Sequence, residues 1–371
     1  MYQEVELVFY LFLYGFRTFK NILVTGGAGF IGSNFIRVLL NKPDFTGRVI
    51  NLDKLTYAGN ASSLDDVAAQ FSDRYIFKQG DICDADFVAS LFGEYEIDSV
   101  CHLAAESHVD RSIEGPEAFI KTNVNGTFTL LDAARKAWAG DFDNKLFHHV
   151  STDEVYGSLG ETGYFFENTS YDPRSPYSAS KASSDHLVMA YFHTYGLPVT
   201  MTNCSNNYGP FQFPEKLIPV MIEKMVEEQP LPVYGDGKNI RDWLFVEDHN
   251  TAVWAVMQKG RLGETYNIGG ENEWENIRLV NTLCEVVASE KGKDREYYKK
   301  LISHVKDRPG HDQRYAINCD KLKSELGWKQ SLDFGEGLKK TVCWYLENRE
   351  WIENIQSGEY RNWMEKNYKE R

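Results

Sequence analysis

Five polar residues in the middle of the chain carry groups that together could oxidise an alcohol and move protons. Thr152, Asp153 and Glu154 are consecutive, and Tyr177 and Lys181 follow at a mutual spacing of four. Because residues at i and i+4 lie on one face of a helix, the Lys181 ammonium could favour the phenolate of Tyr177, whose free pKa is about 10. A phenolate can take the proton of a reacting hydroxyl group. Tyr-x-x-x-Lys alone is also common in helices with one exposed lysine, so its meaning depends on its surroundings.

The adjacent acids Asp153 and Glu154 could serve an elimination reaction. A ketone acidifies the hydrogen on the adjacent carbon, so a base can remove that proton while an acid protonates a hydroxyl group that leaves the next carbon. The acid would need a pKa raised by burial or by its acidic neighbour. An acidic pair more often caps a solvated loop. Here it lies in the run Ser-Thr-Asp-Glu-Val-Tyr-Gly at 151–157, shortly before Tyr177, which favours a chemical role.

A glycine-rich turn near the N-terminus could hold the pyrophosphate of a dinucleotide. Gly26, Gly29 and Gly32 follow a predicted strand and open a predicted helix. The first glycine permits a tight turn, the second lets the backbone approach the phosphates, and the third allows close packing of helix and strand. The free N–H groups at the start of the helix then face the phosphates. A glycine motif is weak evidence alone, but here it has the required strand–turn–helix context.

An acid at the expected distance strengthens the dinucleotide interpretation. Asp53 stands about 20 residues past the last glycine, where a carboxylate would accept hydrogen bonds from the adenosine ribose hydroxyls. Free hydroxyls indicate NAD rather than NADP. Lys54 follows directly and could instead meet a 2′-phosphate, so NADP stays open. Asp81 and Ile82 end the third predicted strand and would flank the adenine.

The elements that must position these residues alternate through the first half of the chain. Short apolar runs predict strands at 21–25, 48–52, 75–79, 99–103, 146–151 and 199–203. Amphipathic stretches predict helices at 31–40, 87–92, 122–139 and 176–195. Such alternation is typical of a parallel sheet with helices on both faces, and ligands bind such a sheet at the carboxyl ends of its strands. We therefore predict an α/β fold with a Rossmann-type doubly wound parallel sheet.

The pattern divides the chain into three parts. After about residue 206 the content of glycine, proline and aromatic residues rises, which predicts a smaller C-terminal substrate-binding lobe. No flexible linker precedes it. We expect an N-terminal extension at 1–19, an NAD-binding domain at 20–205 and a lobe at 206–371 that is interleaved with it. The apolar run at 5–16 is too short to span a membrane and lacks the flanks of a signal peptide, although a membrane-surface anchor is a minor alternative.

Composition argues against several classes of protein. The chain has 371 residues and a net charge of -14, which disfavours nucleic acid and anionic membranes as partners. Its six cysteines are dispersed without a Cys-x-x-Cys pair, as in a cytoplasmic enzyme with reduced thiols rather than disulfides or zinc. His148 and His149 are neighbours and would point to opposite faces of a strand, so we expect one surface histidine and no metal site.

The spacing Gly-x-x-Gly-x-x-Gly with Tyr177 and Lys181 resembles the extended short-chain dehydrogenase/reductase superfamily, over nearly everything from Lys20 onward. Within it, the run at 151–157 is similar to the family of dTDP-glucose 4,6-dehydratases. The resemblance implies that Thr152, Tyr177 and Lys181 oxidise carbon 4, with Glu154 as base and Asp153 as acid of the elimination. The product would be a 4-keto-6-deoxy sugar nucleotide, a precursor in deoxysugar (rhamnose-type) biosynthesis, and NAD would be regenerated within each turnover.

The resemblance also implies two sets of binding residues. Those expected at NAD are Gly26, Gly29, Phe30, Ile31, Gly32, Asp53, Lys54, Thr56, Asp81, Ile82, Leu103, Ala104, Ala105, Thr122, Tyr177, Lys181 and Asn207. Those expected at the substrate are Ser107, His108, Thr152, Asn206, Lys216, Leu217, Pro232, Tyr234, Arg241, Asn276, Arg308 and His311. Arg241 and Arg308 would grip the pyrophosphate, for which the guanidinium fork is suited. Without the resemblance, Arg241 beside an aspartate would indicate only a surface ion pair.

Three other functions compete with this interpretation. A UDP-sugar 4-epimerase would share Tyr177 and Lys181 but would not need Asp153 and Glu154. A non-catalytic NAD sensor would not need the complete Thr152, Tyr177 and Lys181 set. A 4,6-dehydratase of a UDP- or GDP-linked hexose would share the catalytic residues, because the thymidine assignment depends only on scattered C-terminal matches. The resemblance further implies a homodimer formed through helices at about 114–139 and 176–195.

Overall fold

The computed structural model describes residues 16–307 and 312–355. Most of the predicted extension at 1–19, together with Arg308 and His311, therefore lies outside the described residues. A seven-stranded sheet forms the centre, in the spatial order β10-β6-β5-β4-β1-β2-β3. All its neighbouring strands pair in parallel. The predicted doubly wound α/β class is confirmed.

The strands and helices are numbered in chain order. The strands are β1 Asn21–Thr25, β2 Arg48–Asp53, β3 Tyr75–Gln79, β4 Ser99–His102, β5 Leu146–Thr152, β6 Val199–Cys204, β7 Asn206–Tyr208, β8 Leu231–Tyr234, β9 Ile240–Phe245, β10 Thr265–Ile268, β11 Glu273–Glu275 and β12 Ile302–Val305. The α-helices are α1 Phe30–Leu40, α2 Asp65–Gln70, α3 Ala85–Tyr95, α4 Val109–Glu114, α5 Pro116–Phe119, α6 Thr127–Ala137, α7 Pro176–Tyr195, α8 Leu217–Val226, α9 Val246–Lys259, α10 Asn276–Glu290, α11 Asp320–Leu326, α12 Phe334–Glu347 and α13 Arg349–Ile355.

The second half of the chain builds a lobe with its own core but also returns to the sheet. Smaller sheets of the order β11-β9-β7 and β12-β8 lie in this half. Buried aromatic and aliphatic side chains fill the space between them and the surrounding helices, among them Tyr208, Trp243, Phe245, Leu283 and Leu338. Strand β10 nevertheless pairs with β6 at the edge of the central sheet. The division at 205/206 stays a prediction.

Helix α7 coincides with the predicted segment because both of its ends have strong local signals. The Ser175 hydroxyl accepts from the backbone N–H of Ser178, whose own side chain accepts from the Ser175 backbone, and Pro176 occupies the first turn. At the other end Gly196 adopts a left-handed conformation at φ 68° and stops the helix. The start of α7 is therefore fixed, and with it the position of Tyr177.

The helical stretch before β5 is less regular than predicted. In place of one helix over 122–139, a π-helical turn spans Ile120–Gly126 and α6 ends at Ala137. Within the turn, the Asn123 carbonyl accepts from Thr127 and from Ser184 of α7, and the Asn123 amide donates to Glu106. These side-chain bonds replace part of the regular ladder, which apolar periodicity cannot reveal.

The expectation of one surface histidine in β5 is wrong. His148 and His149 are both 0% exposed, because β5 lies between β4 and β6 and both faces of the sheet are covered. His148 bonds to Thr200 at 2.9 Å, and His149 faces α7. In the described part of the chain, no helix is both long and apolar enough to cross a membrane.

Candidate active site

A cleft follows the carboxyl ends of the central strands, as the doubly wound topology predicts. It is lined by all seventeen residues expected at the dinucleotide and by the five expected catalytic residues. Of the substrate-side set, Ser107, Thr152, Asn206 and Lys216 also line it. The sequence-predicted residues at strands β1 to β6 are therefore brought together.

The remaining described substrate-side residues do not line this cleft. His108 is buried at the start of α4, and Leu217 begins α8 directly after Lys216. Pro232 and Tyr234 lie on β8, Arg241 on β9, and Asn276 begins α10. Backbone hydrogen bonds from Gly237 to Tyr234 and from Asn276 to Asn239 hold Tyr234 and Asn276 within the lobe.

The glycine turn is built for close approach of the backbone. Gly26 has φ 70°, and a Cβ there would lie 2.7 Å from the backbone of Ala104. A Cβ on Gly32 would lie 2.2 Å from the Gly26 carbonyl oxygen. Helix α1 begins after Gly29, which has no side chain to cap the first turn, and that turn contains no acid. The exposed N–H groups therefore suit an anion such as a pyrophosphate.

The polar residues at the ends of β2 and β3 present excess negative charge to the end of the cleft where the adenosine was expected. The Asp53 carboxylate accepts from the backbone of Ala28 at 2.9 Å and of Leu55 at 2.8 Å. The Lys54 ammonium lies 2.8 Å from Asp81, and this hydrogen bond raises the pKa of Lys54. Two carboxylates beside one ammonium repel a 2′-phosphate, so the charge balance favours NAD over NADP.

Thr152 and Tyr177 meet where β5 ends beside α7. The Thr152 hydroxyl accepts from the backbone N–H of Glu154 at 3.3 Å and thereby starts a 3₁₀ turn at Asp153–Tyr156. Burial raises the pKa of Tyr177 well above its ordinary value, the negative charge of Glu154 adds to this, and a hydrogen bond to Thr152 opposes it. The Lys181 ammonium donates to the Val150 carbonyl at 2.8 Å.

Asp153 has the surroundings of an acid that keeps its proton. It is 2% exposed. Burial raises its pKa well above the ordinary value, the negative charges of Glu154 and Asp242 add to this, and the positive charge of Arg241 opposes it. Its neighbour Glu154 is half-buried. Two adjacent carboxyl groups in unlike environments can act as an acid and a base.

Glu215 is a cleft residue that the sequence analysis missed. Burial raises its pKa to about 7, and it accepts from the Tyr57 hydroxyl at 3.1 Å. The Arg111 guanidinium stacks 3.7 Å from the centre of the Tyr57 ring. Three distant segments meet here, and the sole sequence signal was the position of Glu215 beside Lys216.

Comparisons with known proteins agree with this geometry. A family model described as GDP-mannose 4,6 dehydratase matches residues 23–341. A dTDP-glucose 4,6-dehydratase of Escherichia coli is 54% identical over 363 residues, covering 94% of this chain and 99% of the relative.

Solved structures give the same picture. DesIV, a dTDP-glucose 4,6-dehydratase from Streptomyces venezuelae with NAD and TYD bound, is 46% identical with a TM-score of 0.81, over 90% of this chain and 99% of that one. UDP-glucose 4-epimerase from Thermotoga maritima with UDP-glucose is 29% identical with a TM-score of 0.78, over 89% and 99% of the two chains. Because both kinds of enzyme share the fold, residues within the site must distinguish them.

Proposed function

This chain belongs to the family of dTDP-glucose 4,6-dehydratases, and on that premise we propose that it removes water from dTDP-glucose to give dTDP-4-keto-6-deoxyglucose. The observation that carries the proposal is the acid pair at the end of β5, with Asp153 buried and Glu154 half-buried beside Thr152 and Tyr177. An epimerase needs the hydroxyl and the phenol but has no step for these two acids. The reaction is that of a hydro-lyase and supplies a deoxysugar precursor.

The residues of the cleft fit NAD. The glycine turn has no room for a Cβ at Gly26 or Gly32, the start of α1 offers N–H groups to the pyrophosphate, and Asp53 would hold the adenosine ribose. Tyr177 and Lys181 would hold the nicotinamide ribose. When bound, NAD supplies reversible acceptance of a hydride, taken from carbon 4 and returned to carbon 6 within one turnover.

The side chains divide the proton transfers. The Thr152 hydroxyl orients the hydroxyl group on carbon 4, and the Tyr177 phenolate takes its proton. Because burial disfavours the phenolate, Tyr177 depends on positive charge from Lys181 and from the oxidised nicotinamide. Glu154 then removes the proton on carbon 5 while Asp153 gives its proton to the hydroxyl group leaving carbon 6 as water. Glu154 finally returns a proton to carbon 5.

The experiment that tests this function compares three sugar nucleotides. The purified enzyme is incubated with dTDP-glucose, UDP-glucose and GDP-mannose, and the products are weighed by mass spectrometry. We expect a keto product lighter by one water from dTDP-glucose. A product of unchanged mass with inverted carbon 4 would identify an epimerase, and conversion of only one of the other two substrates would refute the thymidine assignment.

We also propose that the protein is a cytoplasmic homodimer, with an NAD-binding domain at 20–205 and an interleaved sugar-nucleotide lobe at 206–371. Three large apolar side chains, Ile113, Ile120 and Phe128, are 46%, 48% and 49% exposed along the helical stretch from α4 to α6. Exposed apolar side chains concentrated in one stretch favour a protein partner. The described cysteines are unpaired, which agrees with a reducing compartment.

A further inference from the structure

Two buried side chains near Lys181, those of His149 and Asp185, do not line the cleft and have no role in the proposed reaction. His149 Nε2 is 3.3 Å from the Lys181 ammonium and 3.1 Å from Asp185 Oδ1. Asp185 stands four residues after Lys181 on α7, so the two project from the same face of the helix. Lys181 is 4% exposed and Asp185 is 1% exposed.

Asp185 is itself held by a donor from β5. The Ser151 hydroxyl of β5 donates to Asp185 Oδ2 at 2.8 Å. Burial raises the pKa of Asp185 to about 6, while the charge of Lys181, the bond from Ser151 and the nearby Tyr171 hydroxyl lower it. The carboxylate is therefore mainly ionised at neutral pH, and the bond from β5 fixes its orientation.

The other described titratable groups that face Lys181 carry no charge at neutral pH. Burial lowers the pKa of His149 and of the adjacent His102 well below the ordinary value, and burial raises the pKa of the Cys204 thiol to about 12. Without bound NAD, Tyr177 keeps its proton, because burial raises its pKa well above the ordinary value. Asp185 is thus the anion that compensates the buried ammonium, whose pKa is lowered by burial and raised most by Asp185.

We propose that Asp185 is a positioning residue that keeps Lys181 cationic and directed at the cleft, with neutral His149 Nε2 accepting from the Lys181 ammonium. A buried ammonium without a compensating anion is energetically unfavourable. Lys181 would then lose its proton, or its side chain would move out of this buried position. The charge that Tyr177 needs for its phenolate is therefore set by a side chain that touches neither substrate nor cofactor. This inference deepens the proposed function and rests on it for the role of Tyr177.

The test uses the full-length enzyme and its Asp185→Asn variant, which keeps the shape of the side chain but removes its charge. The alkaline limb of the pH profile for carbon-4 oxidation, followed by absorbance of reduced nicotinamide in single turnovers, should move to lower pH by about one unit or more. Glu223→Gln is the matched control, because Glu223 is a buried acid that pairs with Arg349 in the lobe. Its profile should equal that of the unaltered enzyme.

A second measurement separates this inference from the proposed function. NAD affinity is titrated by calorimetry without sugar nucleotide, since Lys181 would hold the ribose hydroxyls only while protonated. As the pH rises and Lys181 loses its proton, the NAD affinity should fall about tenfold. In Asp185→Asn this fall should begin about one pH unit lower than in the unaltered enzyme. This holds even if dTDP-glucose is not the substrate. Equal pH dependence of the two enzymes in both measurements, even with activity reduced at every pH, would overturn the proposal.

A substitution of His149 decides the case if Asp185→Asn does not fold. His149→Phe keeps a ring against His102, whose centroid lies 5.2 Å away, but removes the acceptor for Lys181. The alkaline limb should then move in the same direction by a smaller amount, because the Asp185 charge remains. An unmoved limb in this folded variant would equally refute the role of the pair.

Discussion

At the scale of single residues, Glu154 separates the two halves of the proposed reaction. Glu154→Gln keeps the shape of the side chain but removes the base, so elimination should slow by about 10²–10⁴-fold while carbon-4 oxidation continues. Reduced nicotinamide should therefore accumulate on the enzyme, and its absorbance after mixing with dTDP-glucose measures this. Glu161→Gln changes an exposed acid in the next loop and should turn over normally. Normal turnover by Glu154→Gln would show that another group is the base.

Asp153 should make the stability of the native protein depend on pH. Its native pKa is raised by burial, whereas the unfolded chain has the ordinary value of 3.8. Above that value the unfolded Asp153 is ionised while the native one keeps its proton, so native stability falls as pH rises towards the native pKa. Asp153→Asn removes this cost and should raise the melting temperature more at pH 8 than at pH 5, by about 1 °C for each kcal/mol regained. An equal change at both pH values would contradict a raised native pKa.

The sequence predicted the chemical types of these residues, but it could not predict their charge states. Spacing alone placed Tyr177 and Lys181 on one face of a helix, and the structure agrees. The pKa of Asp153 also depends on Asp242 and Arg241, about 90 residues further along the chain, and Asp185 acts on Lys181 only because β5 buries both. Glu215 escaped notice for the same reason, since burial of a single carboxyl group leaves no local pattern.

At the scale of elements, the turn between β1 and α1 tests how tightly the dinucleotide site is packed. A methyl group on Gly32 would meet the Gly26 carbonyl oxygen at 2.2 Å, and both belong to rigid backbone. Gly32→Ala should therefore push α1 from the turn and weaken NAD binding at least tenfold, measured by calorimetry. Gly93→Ala is the control, because a Cβ there meets nothing within 4 Å in α3 and should only stabilise that helix by about 0.5–1 kcal/mol. Unchanged NAD affinity in Gly32→Ala would mean that the turn can relax.

Elements with local signals were predicted closely, and those set by distant contacts were not. Strands β1 and β3 and helix α7 have the predicted bounds, because apolar runs, caps and glycines mark their ends. Strand β10 was missed, since a four-residue strand after a turn becomes part of the sheet only by pairing with β6. The π-helical turn at Ile120–Gly126 follows from bonds between Asn123 and side chains of other segments.

At the scale of the whole molecule, the lobe and the nucleotide-binding half are physically continuous. Helix α9 packs against α1, and the Asn34 side chain of α1 donates to the Pro210 carbonyl across the boundary at 2.9 Å. Asp153 likewise feels charges from β9 of the lobe. The net charge of -14 leaves phosphate recognition to locally placed lysine and arginine residues. A cut at 205/206 would therefore leave neither half with a complete site.

The exposed apolar stretch from α4 to α6 makes the homodimer testable at this same scale. Phe128→Asp places a carboxylate among Ile113, Ile120 and their counterparts in a second copy, where burying an unpaired charge costs several kcal/mol. Light scattering after gel filtration should therefore give twice the chain mass for the unaltered protein and the single chain mass for the variant, with an unchanged circular dichroism spectrum. Tyr164→Asp is the control, because Tyr164 is 50% exposed on the loop before α7 and should leave the dimer intact. If the Phe128→Asp variant stays dimeric, the two copies must meet through another surface, because burying an unpaired carboxylate in an apolar interface is unfavourable.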